Sequence, residues 1–342
     1  MKKLTLITLL ALLLAFATSC QRRGFSEHTT AINLKLDLKI DIEHAGMVSL
    51  PDMVRVDLFN LKTGEIEYTD YLPASGGYIY PRPGVYDLLV YNIGTETTIV
   101  RNESNLGTVE AYTNEISAFV KSQMQNFLAS RLQLRTEKAK NSPEDNVSKA
   151  PLTKDPILEG TERIVNEPDY LWVGRLKNLE IPALALEEER EMTILVESSS
   201  VVETWRIVVK PVEGLEWVSK VTALITGQTE STFIGPDEDS QGVATIYFEM
   251  GKDEGSKSLV GTFNTFGKNP LYSSFLSLDL NIIDNLGDGH HFHFDITEDF
   301  FNNPDFYILI EKPIVIEEPK VEGGGFKPTV GDWEDVRTDI DL

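Results

Sequence analysis

The sequence predicts a mainly β protein made of two antiparallel β-sandwich domains in tandem, with one amphipathic helix in the first. Three observations predict this. A strict two-residue alternation opens the body of the chain. Short apolar segments separated by turn residues then recur as far as residue 296. The chain's 342 residues, 41% hydrophobic and 25% charged, have an ordinary globular composition and room for two domains.

Residues 1–19 read as a lipoprotein signal peptide. Lys2 and Lys3 make a positive start, Leu4 to Phe16 is apolar, and the small residues Ala17, Thr18 and Ser19 lead to Cys20. The apolar run is short for a membrane span. The one cysteine of the chain sits where a lipoprotein signal peptidase needs a thiol to accept diacylglycerol. Cys20 is therefore expected to carry acyl chains, palmitate among them, and several buried chains anchor stably. The plainer alternative is an ordinary signal peptide that ends beside a cysteine. Residues 20–29 read as a tether. Arg22 and Arg23 lie just after Cys20, which leaves the face of the outer membrane open.

The first domain is expected over 30–177. Ile32, Leu34, Leu36, Leu38, Ile40 and Ile42 alternate with polar residues, as on a half-buried strand. Val54, Val56 and Leu58 repeat the pattern. Thr63-Gly64 then turns the chain toward Ile66 and Tyr68, predicting a hairpin over 52–70. Val85 to Tyr91 is almost wholly apolar, as a strand buried on both faces would be. Short turns imply antiparallel pairing.

One stretch changes period. Ile116, Phe119, Val120, Met124, Phe127, Leu128 and Leu132 have helical spacing, and Asn114 is a candidate N-cap. A helix over about 113–135 is expected to cover the first sheet, in preference to docking on a membrane or partner, because its polar face is mixed and not basic. Residues 138–154 are polar with two prolines and read as a mobile loop.

Strand patterns resume after Glu167, and a second domain is expected over 178–318. Its candidate strands include 193–196, 204–209, 221–226, 244–249, 259–266, 275–280 and 292–296. A Gly-hinged tail, 319–342, follows. It would dock as a last strand of its own domain or be kept for a partner.

The formal net charge of −23 repels phosphate backbones, which excludes general nucleic-acid binding. No GxSxG, HExxH, GxxxxGK[ST] or GxGxxG motif occurs. With the cysteine spent on lipid and only five histidines, little is left for nucleophilic or general-base work near neutral pH. The protein reads as no enzyme and needs no cofactor. One local cluster lies in GDGHHFHFDI, where His291, His293 and Asp295 share a strand face at a spacing suited to a metal. The preferred reading puts Phe292 and Phe294 inward and leaves the histidines in water. The acidic loop Asp237, Glu238 and Asp239 lacks the spaced ligands of a calcium loop.

Several segments together carry a family likeness: the lipobox at Cys20, the 32–42 strand, VRVDLFNLKTGE, PGVYDLLVYN, EAYTNEISAFVKSQ, NEPDYLWVGR, ALITGQTESTFIG, FNTFGK and GGGFKPTVGDWEDV. The chain resembles the fimbrillin-like outer-membrane lipoproteins related to the anchor subunits of type V pili. The resemblance implies two transthyretin-like sandwiches. It also implies a fimbrillin-like pilin partner engaged by β-strand addition, and a role in anchoring or capping a fimbria. The rival is a glycan-binding or adhesive surface lipoprotein. Trp172, Trp205, Trp217 and Trp333 are too few and too scattered to make the aromatic platform that such a protein would show.

Overall fold

The structure, a computed structural model, describes residues 31–39, 50–141, 155–183, 191–272, 276–302 and 305–320. The chain is mainly β, as its alternation predicts. The first sheet has seven strands in the order β3-β2-β5-β9-β10-β1-β4. They are β1 (Ala31–Lys39), β2 (Met53–Asn60), β3 (Ile66–Pro73), β4 (Gly77–Ile79), β5 (Gly84–Asn92), β9 (Trp172–Ile181) and β10 (Glu191–Ser200). β3 and β4 stand at opposite ends of this order yet are consecutive in the chain, joined by residues 74–76. The sheet therefore curls until its ends meet. Val54, Val56, Leu58, Leu88, Val90, Ile194 and Val196 fill the interior.

β10 crosses β9, and those strands pair only over Ser198–Ser200 and Trp172–Gly174. Gly174 permits the crossing. A Cβ there would lie 2.6 Å from both Ser198 Oγ and Val196 Cγ1.

The second sheet runs β19-β18-β13-β16-β17-β11-β20. Its strands are β11 (Glu203–Val209), β13 (Val218–Thr229), β16 (Val243–Asp253), β17 (Ser258–Thr265), β18 (Ser277–Asp284), β19 (Gly289–Asp295) and β20 (Tyr307–Ile310), with β8 (Arg163–Asn166) beside β16. β16 pairs with β13 up to Met250 and with β17 from Gly251, so one long strand passes between two leaves. Between the leaves lies an apolar core that includes Ile207, Ile225, Phe248, Phe263, Leu280 and Ile308. β12 (Val212–Glu213) and β21 (Ile314–Val315) pair alongside it.

A small sheet joins the halves. β6 (Thr98–Arg101) and β7 (Glu110–Thr113) precede the helices, while β14 (Ser231–Phe233) and β15 (Glu238–Asp239) come from the second half; the order is β15-β14-β7-β6. Phe59, Leu89 and Tyr91 on the outer face of the first sheet pack with Val109, Ala111, Ile234 and Phe266.

Two expectations are corrected. The strand predicted at 193–196 belongs to the first sheet, as part of β10, and not to a second sandwich. Sheet membership changes between Ser200 and Glu203. Alternation shows that a strand is half-buried but says nothing about which strand it pairs with.

The predicted helix is in fact two, α1 (Ala118–Gln123) and α2 (Gln125–Asn141), separated at Met124. The N-cap is Ser117, which accepts from Val120 N–H, and not Asn114. α2 lies on the outer face of the second sheet and not on the first. The chain reaches that sheet because Glu115 bridges to Val165 and Ile116 N–H donates to Ile164 O on β8, which pairs with β16. Met124 and Phe127 are buried with Leu224, whereas Phe119 and Leu132 point to solvent.

Candidate functional site

Edges and buried polar clusters are the places where a β-sandwich of this kind could act. β1 occupies an unusual place. It runs parallel to β10 through its whole length, Ala31 opposite Glu191 through Lys39 opposite Ser199. Its other side pairs with β4 only at Ile32–Leu34. Among the described residues, 35–39 have a ladder partner on one side only, so an edge stays open there. A parallel neighbour in a largely antiparallel sheet needs a long connection, and here about 150 residues separate the two strands.

β3 forms another edge, and it is blunted. Tyr71 N–H donates to Asp70 Oδ1 at 2.8 Å, and Ile66 N–H donates to Ser104 O at 3.0 Å. Exposed Glu67 adds charge, as edges that resist pairing do.

The second cluster lies under α2. Arg131, almost wholly buried, donates from Nε to Asp279 Oδ2 at 2.6 Å and from Nη1 and Nη2 to Glu162 at 3.1 and 3.0 Å. Four residues on, Arg135 donates to Ser277 Oγ at 2.9 Å and to Asp155 Oδ2 at 3.3 Å. At its outer end Lys138 reaches Asp295 at 3.3 Å. Met124, Phe127, Arg131 and Arg135 thus make one helix face, apolar at one end and cationic at the other.

This cluster absorbs the predicted metal candidates. His293 Nδ1 hydrogen-bonds Asp279 Oδ1 at 2.9 Å, and its Nε2 is 3.4 Å from Ser130 Oγ. The Phe127 ring packs 5.3 Å from His291 and 6.2 Å from His293. Phe294 faces the core as expected, but His291 and His293 are covered by α2 and not left in water. Asp295 is turned to Lys138. Among the described residues no three His, Cys, Asp or Glu side chains are placed to hold a metal ion. In the acidic loop, Asp237 pairs with Arg175 at 2.9 Å while Glu238 and Asp239 form β15.

The sequence reading missed this cluster because Arg131, Arg135 and Asp279 look like surface residues. The one available signal was the arginine pair at i and i+4, in register with buried Phe127. Cys20, the signal peptide 1–19, the tether and residues 321–342 of the tail lie outside the described residues, as does most of the 138–154 loop. Among the described residues no helix is long and apolar enough to cross a membrane.

Fold and clusters together define a two-sandwich β protein whose buried charges clamp a helix in place. The chain belongs to the family described as a domain of unknown function, DUF5119, whose model matches residues 19–249. A curated relative from Bacteroides ovatus, named "Putative fimbrium anchoring subunit Fim4B", is 29% identical over 256 residues. The match takes in 74% of this chain and 62% of that protein, so the chain spans less than two thirds of its relative. A crystal structure of "a putative adhesin" from Bacteroides ovatus shares the fold, with a TM-score of 0.56 and 24% identity over 88% of this chain and 98% of that one. The fimbrial anchor protein Mfa2 from Porphyromonas gingivalis aligns more loosely, with a TM-score of 0.42 and 12% identity over 83% of this chain and 90% of that one. The likeness to anchor-type proteins read from the sequence is met in the curated Bacteroides ovatus relative.

Proposed function

We propose that this chain is a non-enzymatic cell-surface lipoprotein that anchors or caps a fimbria. The observation that carries the reading is the similarity over 74% of the chain to a protein named as a fimbrium anchoring subunit. In this reading Cys20 is acylated and holds the protein in the outer membrane, while a fimbrillin-like pilin subunit adds a strand to it. The two sandwiches would act as units that meet between Ser200 and Glu203, and not at residue 178. The half-open edge of β1 at 35–39 supports strand addition, because unpaired backbone N–H and C=O groups there offer a ready template.

Cys20→Ala tests the anchor. The variant is expected as an unprocessed precursor or a soluble periplasmic form, with fimbriae shed into the medium. Normal outer-membrane retention with fimbriae still attached would overturn the reading.

A further inference from the structure

Glu67, Tyr68, Tyr80, Arg82 and Tyr86 of the first sandwich line a cleft of about 610 Å³. Sites for small ligands typically span roughly 300–1,000 Å³. Tyr86 is buried and Tyr68 half-buried, and both pack on the apolar interior, so they form the floor. Tyr80 stands at the rim with 51% of its surface exposed. An aromatic ring left this open presents an apolar face that a ligand can cover.

The lining is held before any ligand arrives. Tyr80 N–H donates to Tyr68 Oη at 3.1 Å, and Tyr68 in turn donates to Asp70 Oδ2 at 2.8 Å. The Tyr86 hydroxyl donates to Arg82 O at 3.2 Å. Asn60 Nδ2 donates to Glu67 Oε1 at 2.6 Å. Pro81 and Pro83 flank Arg82 with fixed φ. The Tyr86 ring folds back over Gly84, where a Cβ would come within 2.8 Å of its hydroxyl, so only glycine leaves room for this ring position. A lining already ordered costs little more to order on binding.

The chemistry selects a ligand class. Tyrosine rings offer apolar faces, Glu67 accepts hydrogen bonds, and Arg82 and the Tyr80 phenol donate them. A pyranose presents the complement, with C–H faces above and below a rim of hydroxyls. The chain's charge of −23, and Glu67 and Asp70 at the cleft, count against an anionic ligand. We propose that this cleft binds a neutral saccharide, with Tyr80 stacking on a sugar ring and Glu67 and Arg82 hydrogen-bonding its hydroxyls. The sequence reading sought a platform of tryptophans, but Trp172 and Trp205 are buried. Among the described residues of the first sheet and its rim, the exposed rings are Tyr71, Tyr78 and Tyr80. This activity is additional to fimbrial anchoring and does not depend on it.

The test is calorimetric titration of the full chain in detergent with malto-, cello-, xylo- and manno-hexaoses, with oligogalacturonate as the acidic control. At least one neutral hexaose is expected to bind. Tyr80→Ala is expected to weaken that binding by about tenfold or more, while Tyr80→Phe keeps most of it. Both substitutions fall on an exposed ring, and circular dichroism checks that each variant is folded. No binding by any neutral hexaose at millimolar concentration, equal binding by Tyr80→Ala, or preference for the acidic control would each overturn the proposal.

Discussion

Asp279 shows how one carboxylate is kept charged inside the protein. Burial pushes it up, but Arg131 and then His293 pull it down further, to about 2. Its ordinary value is about 3.9. The stability it contributes is present above that value and is lost as pH falls toward 2. Asp57, Glu167 and Glu203 behave oppositely. Burial raises all three, and their partners offset it only in part. The folded state therefore takes up protons at these sites before the unfolded state does, and stability rises as pH falls from neutral through their raised values. Lower net charge acts in the same direction. Thermal melts should show a higher Tm near pH 5 than near pH 7.5, followed by a fall below about pH 3. A Tm that declines steadily from pH 7.5 downward would contradict this assignment.

Among the elements, α2 carries the clearest consequence. Its cationic end is docked by salt bridges and hydrogen bonds over the polar outer face of the second sheet, where Asp279, Ser277 and Thr226 lie. Arg131→Met would leave Asp279 and Glu162 without their guanidinium, and breaking a buried pair in this way costs about 3–5 kcal/mol. Urea denaturation should register that loss, with reduced hydrogen-exchange protection across α2. A change below about 1 kcal/mol would show that the clamp is dispensable.

The legibility of the elements follows the same physics. β2, β5 and β11 were readable because one or both faces are buried, and β3 because half-buried and exposed residues alternate along it. The existence of the helix was readable from Met124 and Phe127. Its docking place was not, because the residues that decide it are charged, and charge in a sequence looks like surface. Pairing partners were equally hidden. β10 lies beside β1 through register and crosses β9 at Gly174, and neither feature leaves a local pattern.

At the scale of the whole molecule, the small sheet and the cluster around Phe59 and Ile234 tie both sandwiches together. A load applied to one half would be transmitted to the other through packed side chains. The family likeness was legible in the sequence because it rests on whole-segment patterns spread along the chain. The tyrosine cleft was not, since its five lining residues come from three short stretches that only the curl of the sheet brings together. The most direct test of the anchor reading is photo-crosslinking from positions 35–39 of β1 in intact outer membranes, with mass spectrometry of the product. The account predicts a covalent adduct with a fimbrial subunit from these positions and none from the blunted β3 edge. Adducts that are absent from β1, or that are equally frequent from β3, would contradict it.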